Sequence, residues 1–405
     1  MHKNNIKVYN DFSRNGMYAI IFMMASTIIQ SVFGFARDAS PFWKLCIALF
    51  CWCSLFFSIK NFSFTSFYPR YVKIIVLFLV ASVTLSLFNS LITGVVYAGE
   101  KYTVIFTNMY TTLDLIGVFF IAAVTDVSDA KYLLKAVYWM IPVSIICLFF
   151  YFDRLSGSYV LTYIVLFSSV FFPYLERKRQ LYLLGGYALS FVAFVGGGRQ
   201  VAIILFFCVL SLLVGLYGNK KMAYVISLIV FFSPLVLLYY SVNYESIFSI
   251  MAQGKEYREG LNVDTRTFLW VEFFTDMFSQ STFTQFFGKG VLGYYASDWF
   301  NSNHRLGIEI PVLQWILQAG YFYVICLTLL MFFSIHYLCK YGQNKMCLIA
   351  SVMIAGVYFN MYVSNLIGCN ISTLGIWFMI GIAFNNNFLL VNDQYLLDLY
   401  KEGNV

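Results

Sequence analysis

The sequence predicts an all-α, polytopic membrane protein. Three observations carry that prediction. Hydrophobic residues make up 60% of the 405-residue chain and charged residues only 11%, a balance whose surface water could not solvate. Apolar stretches of about 17–25 residues recur along the chain, the length that a bilayer-crossing helix needs. Basic residues cluster in alternate connections between those stretches, as they do on the inner side of membrane proteins.

The apolar stretches place about twelve spans, near 16–35, 42–59, 72–93, 104–124, 133–152, 156–175, 181–197, 200–217, 222–242, 309–333, 346–367 and 371–388. Lys3, Lys7 and Arg14 precede the first. No small-x-small cleavage site follows them, so this segment reads as an uncleaved first span. Lys60/Arg70/Lys73, Lys131/Lys135, Arg177/Lys178/Arg179, Lys220/Lys221 and Lys340/Lys345 fall in alternate loops. With the termini they hold 16 of the 26 Lys and Arg residues, which puts those loops and both termini in the cytoplasm. The net charge of +7 is therefore mostly a topology signal and not a nucleic-acid footprint. Three regions follow: 1–242 with spans one to nine, a large outer loop at 243–308, and 309–405 with spans ten to twelve and a cytoplasmic tail.

The nine cysteines form no disulfide pattern. Cys51 and Cys53 are two positions apart, so on a helix they point to different faces, and no histidine lies near. They read as buried structural thiols.

The outer loop holds aromatics, glycines and a helical segment, so it is expected to fold. Residues 264–279, D-T-R-T-F-L-W-V-E-F-F-T-D-M-F-S, carry an apolar stripe of Trp270, Phe273, Phe274, Met277 and Phe278 at helical spacing. A helix lying in the outer interface is expected there. Arg266 stands at its start, where a cation opposes the helix dipole unless an anion joins it. The alternative is a snorkelling arginine. G-K-G-V-L-G at 288–293 has no βαβ context, so it reads as flexible turns that let backbone approach a ligand or another loop. His304 is the histidine of the outer segments, flanked by Asn303 and Arg305 just before span ten. It is either a proton acceptor titrating near neutrality or a loop histidine that caps the helix. One histidine with no cysteine gives too few ligands for zinc. Gln314 and Gln318, four apart in span ten, either line the site or bridge helices. Asp114 is the acid placed well inside a span.

The turn V-G-G-G-R-Q-V between spans seven and eight puts Arg199 at a second outer helix start, where the same anion logic applies or the side chain snorkels. Two such arginines on one side of the membrane point to one multivalent anion, and pyrophosphate on a lipid fits.

Read together, these motifs resemble the bacterial O-antigen polymerase (Wzy-type) and O-antigen ligase superfamily. G-G-R-Q at 197–200 is similar to that family's small-x-Arg-small turn. D-T-R-T-F-L-W at 264–270 is similar to its Arg-then-Trp segment, and G-K-G followed by N-H to its loop exit. Gly198 stands where the family usually has Ser or Thr, and Asn303 precedes His304 where ligases place Asn after it, which favours polymerase over ligase. The resemblance covers most of the chain. It implies a GT-C-type membrane glycosyltransferase of the bacterial inner membrane, metal-independent and without cofactor. Its partners would be undecaprenyl-diphosphate-linked oligosaccharide, membrane lipid and a chain-length regulator protein. Arg199 and Arg266 would stabilise the leaving diphosphate, with Arg258 and Arg305 as helpers. His304 would be the base, with Glu309 as substitute. Gln200, Asn303, Gln314 and Gln318 are the further substrate-binding candidates. Tyr294, Tyr295, Trp299 and Phe300 would stack on sugar rings or anchor in the interface. A ligase acting on lipid A core is the nearest alternative, and a polysaccharide flippase or other transporter is the rival of another class.

Overall fold

The computed structural model describes residues 14–31, 40–64, 67–93, 101–108, 112–150, 168–195, 199–243, 267–298, 300–305, 307–363 and 368–401. It is predominantly helical. The chain begins with α1 (Arg14–Ile29), α2 (Pro41–Phe64) and α3 (Arg70–Thr93), continues through α4 (Lys101–Thr107) and α5 (Thr112–Ile116), and reaches α6 (Ala130–Phe150). Next come α7 (Arg177–Val195), α8 (Arg199–Tyr217) and α9 (Lys220–Asn243). The next segment holds α10 (Thr267–Ser279), α11 (Thr282–Phe287), β1 (Tyr295–Ser297) and β2 (Ser302–Arg305). The chain then forms α12 (Pro311–Tyr341), α13 (Lys345–Val363), α14 (Ile371–Ile382), α15 (Asn386–Leu389) and α16 (Asp393–Lys401).

Among the described residues, five helices are long and apolar enough to cross a membrane: 41–62, 70–92, 220–239, 311–341 and 345–363. Proline opens two of them, Pro41 and Pro311, where its missing N–H costs nothing and its φ already suits the helix. Small hydroxyl side chains stitch neighbouring helices together. Ser54 Oγ donates to the Ala19 carbonyl at 2.7 Å and Ser26 Oγ to the Ile47 carbonyl at 3.2 Å. Such residues let two backbones approach where water offers no alternative partner. Of these five, helix α13 is the most enclosed: nearly its whole length is buried, between α8, α9, α12 and α14.

Two expected spans are interrupted. The stretch 104–124 is not one helix: α4, α5 and a 3-10 helix at Gly117–Ala122 divide it. Carbonyls at the interruption accept from tyrosines instead, Tyr323 Oη to Leu115 at 3.0 Å and Tyr68 Oη to Ile121 at 2.5 Å. Those bonds satisfy backbone groups that a broken helix leaves over. Helix α12 is broken at Gly320, whose φ is 81° and ψ 176°. The last apolar stretch, expected at 371–388, is helical only to Ile382, and Asn385 then caps the short α15 through the Asn387 N–H at 2.9 Å.

Helix α10 packs one face against the rest of the protein. Leu269, Trp270, Phe273 and Met277 are buried against protein, whereas Phe278 is exposed. The Trp270 ring stacks on Tyr362 of α13, with centroids 6.1 Å apart. The strands β1 and β2 pair antiparallel with Tyr295 opposite Arg305. This small sheet departs from the all-α expectation, because three- and four-residue strands leave too short an alternation to read.

Candidate functional site

The candidate site rests on the break in α12. At Gly320 the helix ladder stops, and the carbonyls of Leu317 and Gln318 need donors. The loop after α11 supplies them: Lys289 N–H donates to Leu317 at 2.7 Å and Gly290 N–H to Gln318 at 3.1 Å. Ser86 Oγ of α3 donates to the same Gln318 carbonyl at 2.6 Å. The G-K-G turn thus brings its backbone to a helix, not to a nucleotide. Gly288 has a φ of 79°, and a Cβ there would stand 2.4 Å from the Gln318 carbonyl oxygen.

Side chains then fasten α10 and the sheet to this loop. Lys289 Nζ pairs with Asp276 at 2.5 Å and donates to the Tyr294 carbonyl at 3.1 Å. Ser297 Oγ donates to Glu272 at 2.6 Å. The result is a folded platform outside the bundle.

On that platform the guanidinium of Arg305 lies 3.4 Å from the Phe300 ring centroid. Its Nη1 donates to Tyr295 Oη at 3.0 Å, and its Nη2 is 3.9 Å from Glu309. A guanidinium stacked and forked in this way is held in one orientation. Burial pushes the Tyr295 hydroxyl up to about 12, although Arg305 pulls the other way. His304 is exposed, and its ring lies against Tyr294 with centroids 4.6 Å apart. Asn303 is exposed beside it, and Glu309 is half exposed. His304, Arg305, Tyr294, Phe300 and Glu309 therefore share one patch, with an imidazole ring, a fixed cation and an acid.

Three sequence candidates do other work. Tyr295 is fully buried and supports Arg305, so it has no face to offer a sugar. Gln314 is buried, and its Oε1 accepts from Ile308 N–H at 2.7 Å, bracing the loop exit. Gln318 is wholly buried, with Nε2 3.5 Å from the Val291 carbonyl. In these bonds both glutamines reach loop backbone and not another helix. Arg199 opens α8, with Gln200 next; their side chains, and Arg258, Arg266 and Trp299, lie outside the described residues.

A second feature lies inside the bundle. A cavity open to one side runs between α12, α13 and α14 with Asp114 of α5 on its wall. Asp114 Oδ2 accepts from Trp315 Nε1 at 2.9 Å. Tyr323, Asn360, Thr373 and Trp377 line it near these groups, and Leu327, Met331, Ile376 and Ile380 continue it. Asp114 alone of these was singled out by sequence, as an acid in an apolar stretch. The aromatics come from helices distant in sequence, and no spacing connects them. Among the described residues, no group of His, Cys, Asp and Glu could hold a metal ion. Comparison with protein-family models, curated proteins and solved structures found no match.

Proposed function

We propose that this chain is a twelve-span, GT-C-type membrane glycosyltransferase that joins undecaprenyl-diphosphate-linked oligosaccharide units at the outer face of a bacterial inner membrane, as an O-antigen polymerase does. One observation carries the reading. Arg305, fixed over Phe300 and bonded to Tyr295, shares a patch with exposed His304 and with Glu309. In the proposed reaction His304 takes the proton of an acceptor sugar hydroxyl as that oxygen bonds to the donor's anomeric carbon. The anomeric C–O bond breaks, and the electron pair leaves with undecaprenyl diphosphate. Arg199 and Arg266 stabilise the diphosphate charge, with Arg258 and Arg305 beside them. The start of α8 at Arg199 supports the anion logic, because unpaired N–H groups gather at that end.

The test is turnover of a lipid-diphosphate repeat unit by purified protein, with and without chelator. Arg199→Ala, Arg266→Ala and His304→Ala should each lower the rate, the last by roughly 10²–10⁴-fold if His304 is the general base. Chelator should change nothing. Product length separates the neighbouring readings: a ladder marks a polymerase, and transfer of finished chains to lipid A core marks a ligase. A transporter is the second reading. The break in α12 at Gly320 and the acid-lined cavity favour it, because transport sites are built at discontinuous helices. Substrate flux without bond formation would establish that reading instead.

A further inference from the structure

We propose that the Asp114 cavity binds an organic ammonium ion, with the charged nitrogen near Asp114 and its alkyl chain along the apolar continuation between α12 and α14. The inference is independent of glycosyl transfer and concerns a different place in the fold.

Charge complementarity selects the occupant. Asp114 lines the cavity, and among the described lining residues none is Lys, Arg or His. A carboxylate in apolar surroundings is costly unless a cation compensates it. The hydrogen bond from Trp315 Nε1 to Oδ2 orients the carboxylate without neutralising it. An anionic headgroup, the diphosphate of the proposed reaction included, would meet repulsion here.

The lining then separates kinds of cation. Calcium takes six to eight oxygen ligands and magnesium keeps several waters. The cavity offers one carboxylate, the amide of Asn360 and the hydroxyls of Thr373 and Tyr323, and Tyr323 Oη already donates to the Leu115 carbonyl. Trp315, Trp377 and Tyr323 add aromatic surface instead, which attracts a diffuse, weakly hydrated ammonium charge. Beyond them Leu327, Met331, Ile376 and Ile380 leave only apolar wall. A polar end with one negative charge and an apolar extension match an amine that carries a short alkyl chain.

The experiment compares n-hexylammonium with n-hexanol, by calorimetric titration of the intact protein in a neutral maltoside detergent. Fluorescence of Trp315 and Trp377 gives a second readout. The ammonium should bind wild type at least about tenfold more tightly than the alcohol, about 1.4 kcal/mol or more. Asp114→Asn, which keeps an acceptor for Trp315, should abolish that preference. Trp377→Leu should weaken ammonium binding severalfold with Asp114 intact. Equal binding of amine and alcohol in wild type would identify an unselective apolar groove and overturn the proposal. So would ammonium binding unchanged in Asp114→Asn, or no binding of the amine at all. Should Asp114→Asn fail to fold, the wild-type comparison and Trp377→Leu still decide. Neither result bears on turnover of the lipid-diphosphate unit, so the two proposals fail separately.

Discussion

The backbone N–H of Lys289 lies 2.7 Å from the carbonyl oxygen of Leu317, and that bond joins the platform of α10, β1 and β2 to the break in α12. The loop supplies the donors that the missing helical turn withholds. The position of His304 and Arg305 therefore depends on a glycine fifteen residues farther along the chain.

Gly320→Ala should destabilise the protein. Its φ of 81° with ψ of 176° belongs almost entirely to glycine, and another residue there costs about 1–3 kcal/mol. A Cβ would also stand 2.1 Å from the Phe286 carbonyl oxygen. The thermal midpoint in neutral detergent should fall. Gly185→Ala, in a helix with nothing within 4 Å of the added methyl, should leave it level or raise it. A Gly320→Ala protein as stable as wild type would show that the break is not built on this residue.

Arg305→Lys should fail to replace arginine. An ammonium cannot both stack over Phe300 and fork to Tyr295. On the glycosyltransferase reading, turnover in both Arg305→Lys and Arg305→Ala should drop by at least about tenfold, about 1.4 kcal/mol. Full activity in the lysine variant would remove the fixed guanidinium from the mechanism.

Asp129 precedes α6 and is buried, and among the described residues neither carboxylate oxygen has a hydrogen-bond partner. Burial, and then the neighbouring Asp126, push its carboxyl up to about 7. The folded state thus holds this proton more tightly than the unfolded chain does. Its contribution to stability is fully present below the ordinary carboxylate range near 4 and is lost as pH rises through about 7. Asp129→Asn should raise the thermal midpoint at pH 8, and the gain should shrink toward pH 5. A gain of equal size at both pH values would rule out the titration as its source.

Asp393→Ala should loosen the C-terminal helix. The carboxylate accepts from Lys345 N–H at 2.9 Å, at the start of α13, and from Tyr174 Oη. Hydrogen bonds to charged groups contribute about 1.5–3 kcal/mol each, so both losses should register. Limited proteolysis should cut the tail of the variant faster than that of wild type, whereas an unchanged rate would show that α16 is held by Leu396 and Tyr400 alone.

Much of the helical layout was legible. The expected stretches at 42–59, 72–93, 200–217 and 222–242 fall within α2, α3, α8 and α9, because apolar runs of that length have few other solutions. The helix expected at 264–279 was legible from its stripe, and its described part is Thr267–Ser279. The interruption after α4 was not, because the few polar residues between Val104 and Val124 do not mark a break, and the tyrosines that satisfy its carbonyls, Tyr68 and Tyr323, are distant in sequence. Phe300 was legible as an aromatic candidate, but its pairing with Arg305 was not, since the strand register that aligns them is set by the turn between.

The sequence by itself determined the class of molecule, the abundance of apolar helices and the chemical types gathered near residues 294–309. Composition and run length decide these, since each follows from what a segment must hide from water. Only the tertiary structure decided that α12 breaks at Gly320, that Gln314 and Gln318 brace the loop, and that Asp114 faces a cavity walled by Trp315 and Trp377. Those outcomes depend on which distant group satisfies a given carbonyl or carboxylate, and no local pattern records a partner two hundred residues away.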